Sequence, residues 1–111
     1  MPRGEFIDEK GRIYKTETLW REAKELPITI YKIDSEAIYD ELVMWQVNNF
    51  WDFLVHFRKV LNADLTKPLI VRSDGYVMDG WHRIIRAIHE GIKELPQKRF
   101  LIDPEPDITP D

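Results

Sequence analysis

His82, Arg83 and Arg86 stand close together in the stretch DGWHRIIR (79–86), directly after an Asp-Gly pair. A chain that turns through glycine into a helix leaves the first backbone N–H groups of that helix without intrahelical partners. Those groups, together with the positive end of the macrodipole, favour a phosphate or carboxylate. Cationic side chains are disfavoured at that end unless an anion offsets them. Gly80 lets the backbone approach a ligand with no Cβ in the way. An anion resting on Gly80–His82 has an imidazole and a guanidinium within reach, and arginine grips phosphate bidentately. The competing reading is structural: Asp79 is the N-cap, and the basic side chains balance nearby acids on a solvated face.

Other reactive chemistry is scarce. The chain holds no cysteine, which excludes disulfides, thiolate-bound zinc and a cysteine nucleophile. Asp79, His82 and His89 are the conceivable metal ligands here, but His82 and His89 are two helical turns apart, too far for one ion. No metal site is expected.

The elements that must position this corner can be read from periodicity. In 68–71, PLIV is a buried strand, Ser73-Asp74-Gly75 a tight turn, and YVM (76–78) the returning strand. Trp81, Ile84, Ile85 and Ile88 then recur as one apolar helical stripe, so Trp81 packs inward while His82, Arg83 and Arg86 face out. Gly91 closes the helix. Upstream, Thr16–Leu26 carries Leu19, Trp20, Ala23 and Leu26 on one side and ends at Pro27. ITIYKI (28–33) reads as a strand. Asp34 or Ser35 caps a helix from Glu36 with Ile38, Leu42 and Trp45 in phase.

That phase breaks near VNN (47–49), where Asn48 or Asn49 caps a second helix reaching about Asn62, with Val47, Phe50/Trp51, Leu54, Phe57 and Leu61 as its apolar face. KRFLI (98–102) is a last strand. Residues 1–16 form a small hairpin or a loose arm, and the tail DPEPDITPD (103–111) reads as an unfolded acidic end. The expected class is α+β: one domain over 1–102, a mixed sheet, and a β-hairpin feeding a helix N-terminus.

The 111 residues suit a single core, and 43% apolar content is enough to fill it. Sixteen Lys and Arg against 20 Asp and Glu give a net charge of −4, which opposes long-range attraction to DNA or RNA. No run is long and apolar enough to span a membrane and no secretory leader is evident, so a cytoplasmic location is expected. The aromatic stretch WQVNNFWDFLVHF (45–57) holds more large apolar groups than one face needs. Part of it is either core or an exposed patch for a protein partner or for self-association.

PLIVRSDGYVMDGWHRIIRAIHEGIKELP (68–96) resembles the ParB/sulfiredoxin superfamily. There a strand of the form P-I-x-V precedes a hairpin, a glycine-led basic motif opening a helix, a closing glycine and a proline. Gly80, Arg83, Arg86 and Ala87 match the ParB motif G-E-R-R-x-R-A. Asp79, Gly80, Trp81, His82 and Arg83 align with sulfiredoxin's G-G-C-H-R.

The resemblance implies a nucleotide (ATP, ADP or CTP), with magnesium, held at the helix N-terminus. His82 and Arg83 would contact phosphates, Gly80 and Trp81 would give N–H groups, and Arg86 a second-line contact. It further implies polar side chains from the preceding helix, here Asn49, Asp52 and His56. Trp81 replaces the sulfiredoxin cysteine, so sulfinic-acid reduction is excluded. Only the acidic tail follows Phe100, where a partitioning protein carries its helix-turn-helix. A third branch phosphorylates free serine with a carboxylate base, for which Asp79, Asp34 and Glu36 are the candidates. The alternative reading is a non-catalytic interaction module that uses the aromatic helix 45–57 and the acidic surface.

Overall fold

The computed structural model describes residues 4–33 and 47–111. The helix expected from Glu36, with Ile38, Leu42 and Trp45 in phase, lies outside the described residues, as do Asp34 and Glu36. The fold is α+β, with a two-stranded ribbon and a mixed four-stranded sheet.

The ribbon pairs β1 (Glu5–Ile7) with β2 (Ile13–Lys15) antiparallel, Phe6 opposite Tyr14. Asp8 organises its turn by accepting from the Lys10 and Arg12 N–H groups, both at 2.9 Å, and from Arg12 Nε at 2.6 Å. Burial alone would raise the Asp8 carboxyl, but these bonds hold it below the usual carboxylate range. The first fifteen residues therefore contain a hairpin, and α1 (Thr16–Glu22) leaves it without a linker.

The main sheet has the order β3-β6-β4-β5, from β3 (Thr29–Lys32), β4 (Leu69–Val71), β5 (Val77–Asp79) and β6 (Glu94–Arg99). β6 runs antiparallel to β3 and parallel to β4, and β4 pairs antiparallel with β5. β4 is fully buried on both sides. Side-chain alternation sends Leu69, Val71 and Val77 to one face, where they meet Leu95 and the Ile84 and Ala87 side chains of the helix Trp81–His89. Ile70 and Met78 point to the other face and pack with Phe6, Tyr14, Leu19, Ala23 and Phe100. The ribbon and α1 thus seal one face of the sheet. α2 (Phe50–Leu61) precedes β4, and the helix Trp81–His89, α3, follows β5.

Residues 47–49 are not helical, and α2 starts at Phe50. Asn49 caps α2, its side-chain oxygen accepting from the Asp52 N–H at 2.9 Å. Gly91 follows α3 with φ +74, the left-handed turn that ends many helices.

The last strand differs from its expected place at 98–102. β6 starts at Glu94 and ends at Arg99, with Pro96 inside it, opposite Ile30. Proline lacks the N–H an internal strand needs, and Gln97 compensates: its Nε2 donates to the Ile30 carbonyl at 3.1 Å. Gln97 is buried. Gln97→Ala is expected to strand that carbonyl and lower stability by about 1 kcal/mol, measured by urea unfolding. An unchanged midpoint would deny it this role.

The tail is also corrected. Composition reads 103–111 as unfolded, yet Ile13 and Ile108 form an antiparallel bridge. Asp103 accepts from the Ser73 N–H and hydroxyl at 2.8 and 2.7 Å. Asp107 accepts from the Lys15 N–H at 2.7 Å and the Thr18 hydroxyl at 2.9 Å. Lys15 is the N-cap of α1 and has no side-chain cap bond of its own, so Asp107 satisfies that helix end from a distance. The Lys15 N–H bond, ahead of the Thr18 bond, holds the Asp107 carboxyl below its usual range. Removing 107–111 is expected to lower the thermal midpoint by a few degrees and fray α1, seen as lost helical ellipticity. Among the described residues no helix is long and apolar enough to cross a membrane.

Candidate functional site

Gly80 is the N-cap of α3, with φ +119 and ψ 15. Asp79 is the last residue of β5 and does not cap the helix. The glycine is demanded by packing as well as by conformation: a Cβ there would overlap the Leu69 Cδ2 in the core and stand 3.2 Å from Arg83 Nη1. Trp81 turns inward as its spacing predicts, donating from Nε1 to the Val77 carbonyl at 3.2 Å and meeting Tyr76 edge-on.

The basic side chains have partners far away in sequence. Arg83 Nη1 donates to the Pro68 carbonyl at 2.6 Å, Nη2 reaches Asp79 Oδ2 at 3.3 Å, and the guanidinium lies over the Trp20 ring. Asp79 Oδ2 also accepts from Trp20 Nε1 at 2.8 Å. Arg83 and Asp79 together tie α1, the start of β4 and α3 to one another. Arg86 Nη1 donates to the Leu61 and Ala63 carbonyls at 2.8 and 2.9 Å, with Glu90 beside its Nε at 3.3 Å. It places a cation at the negative C-terminal end of α2, a favourable arrangement for both. Both arginines therefore serve carbonyl oxygens of neighbouring elements.

His82 has a different neighbour. His56, on α2, stacks on it with ring centroids 5.2 Å apart, and His56 Nδ1 lies 2.9 Å from His82 Nε2. One proton shared between the two nitrogens satisfies this contact when both rings are neutral. Burial chiefly, then Lys59, His56 and Arg83, pushes His82 down to about 4. Burial and then Lys59 lower His56 as well. Both shifts favour the neutral pair near pH 7, and an anion beside the rings would favour the charged form.

Of the residues expected from the preceding helix, His56 arrives at the α3 N-terminus. Asn49 does not: it caps α2. Asp52 occupies the same half-buried side of α2 as His56, with Oδ2 accepting from the Asn48 N–H at 3.2 Å. Lys59 was missed. It stands three residues beyond His56 on that side, and its charge acts on both histidines. The spacing 52, 56, 59 was the available signal. Among the described residues no group of three or more Asp, Glu or His is placed to hold a metal ion. No family model, no curated protein and no solved structure matches this chain.

Proposed function

We propose that this protein binds the phosphates of a nucleotide at the N-terminus of α3. The observation that carries the reading is the convergence of His56 and His82 at that helix end from different helices. A left-handed glycine opens the helix, and Lys59 is the nearby cation. His82, His56 and Lys59 are the side-chain ligands, joined by the N–H groups of Trp81, His82 and Arg83. Arg83 and Arg86 position the helix and are not the primary phosphate ligands. The resemblance to the ParB/sulfiredoxin superfamily supports ATP, ADP or CTP as the nucleotide, with magnesium carried on its phosphates. The Asp79 carboxylate is engaged by Trp20 and Arg83, so the proposal stops at binding and assigns no phosphotransfer.

Titration calorimetry with ATP, ADP, CTP and GTP, with and without magnesium, tests it. Binding is expected to weaken about tenfold or more in His82→Ala and in Lys59→Ala, the loss of one charge-assisted hydrogen bond. Because phosphate favours the imidazolium, binding should take up protons and tighten as pH falls from 7.5 toward 6. Arg83→Ala is a poor probe, since it also breaks the tie between β4 and α3. A folded protein that binds none of the four nucleotides overturns the proposal.

A further inference from the structure

α2 leaves its large aromatic side chains exposed. Its half-buried positions are Asp52, Leu54, Val55, His56, Lys59 and Val60, while Phe50, Trp51, Phe53, Phe57 and Leu61 face outward. Phe50 is 78% exposed, Trp51 64% and Phe57 46%, and no residue of α2 is fully buried. A contiguous exposed apolar patch marks an interaction surface. Phe50, Phe53, Phe57 and Leu61 recur at spacings of three and four, the seam of one helix packed on another. Their rings are already arranged: Phe50 and Phe53 centroids are 6.5 Å apart, and Phe53 and Phe57 stack at 5.8 Å.

The flank of the stripe indicates what covers it. Trp51 and Arg58 are both exposed and, seven residues apart, share one flank. Antiparallel packing of two copies of a helix brings matching flanks together, so Trp51 of each copy faces Arg58 of the other. Parallel packing would set that flank against the opposite one. Among the described residues Arg58 has no carboxylate partner, and a guanidinium over an indole face is a favourable contact. The patch is therefore complementary to itself under a two-fold axis, as an isologous interface requires. We propose that the chain forms a two-fold homodimer through antiparallel α2–α2 packing, with the aromatic stripe as its core and two Trp51–Arg58 contacts at its edges. The histidine pair lies on the other side of α2, so the dimer does not rest on the phosphate reading.

Sedimentation equilibrium of the full chain, from micromolar to millimolar concentration, should show a reversible monomer–dimer equilibrium. Phe57→Glu is expected to weaken it about thirtyfold or more with unchanged circular dichroism and melting of the monomer, and Arg58→Glu to weaken it less. The chain has no cysteine, so Phe50→Cys and Leu61→Cys report orientation directly. Mixed, they should form the 50–61 disulfide in preference to either self-disulfide. A monomer at every concentration, a dimer indifferent to Phe57→Glu, or predominant self-disulfides would each overturn the proposal. So would a monomer that Phe57→Glu destabilises, which would show the stripe covered within the chain.

Discussion

Gly80→Ala is expected to lower stability by about 3 kcal/mol, from backbone strain at an unfavourable φ together with overpacking of the core. Two effects combine. At φ +119 an alanine is strained wherever it points. Its methyl would also overlap Leu69 Cδ2, and Leu69 is fully buried between β5 and α3, so that side chain can move only by disturbing its neighbours. Relief by shifting α3 would drag Arg83 from the Pro68 carbonyl and His82 from His56. Urea unfolding measures the loss, and the same variant should lose nucleotide binding even where it remains folded. A change below about 1 kcal/mol would mean that the backbone at 80 relaxes freely. The tight joint between strand and helix would then be wrong, and with it the fixed geometry proposed for phosphate.

The segment around Gly80 was also the most legible part of the sequence, because each signal there is local. A short apolar run after a proline gives β4, the tight turn and returning YVM give β5, two Asp-Gly pairs give the turns, and a four-residue stripe gives α3. Legibility fails where the partner is distant. Arg83 and Arg86 look like a free basic cluster in one dimension, since nothing nearby in sequence announces the Pro68, Leu61 and Ala63 carbonyls that receive them. The tail shows the same limit: composition counts the charges of Asp103 and Asp107 but not the N–H and hydroxyl groups opposite them. β6 starts before the expected 98–102 and carries Pro96 inside it, where the Gln97 side chain donates across the ladder to the Ile30 carbonyl. His56 was reachable through the family resemblance, which pointed to polar side chains one turn apart on the preceding helix. The outward turn of the aromatic stripe was not, because periodicity identifies an apolar face without saying what it faces.

The histidine pair makes a prediction about pH that separates it from the carboxylates. His82 is near 4 in the folded protein against 6.5 for a free imidazole, so the unfolded chain binds more protons throughout that interval. Stability therefore rises with pH there: it is fully present above about 6.5 and is lost as pH falls toward 4. The full shift corresponds to about 3 kcal/mol, but His82 remains partly open to solvent, and screening reduces the expected loss to about 2 kcal/mol. The window matters because Asp74, held near 2 by its bonds to Arg72, gives up its contribution only at lower pH. His82→Gln keeps a neutral hydrogen-bonding side chain and should flatten the profile between pH 6.5 and 4.5, while His56→Gln should flatten it in part. Nucleotide should act in the opposite direction, since an anion beside the rings favours their charged form and protects the complex where the free protein weakens. Urea midpoints measured across that range, with and without ATP, decide the matter. A wild-type profile already flat above pH 4.5, or a His82→Gln profile with the wild-type slope, would mean that the pair titrates as free histidine. Its burial against α2 would then not hold in solution.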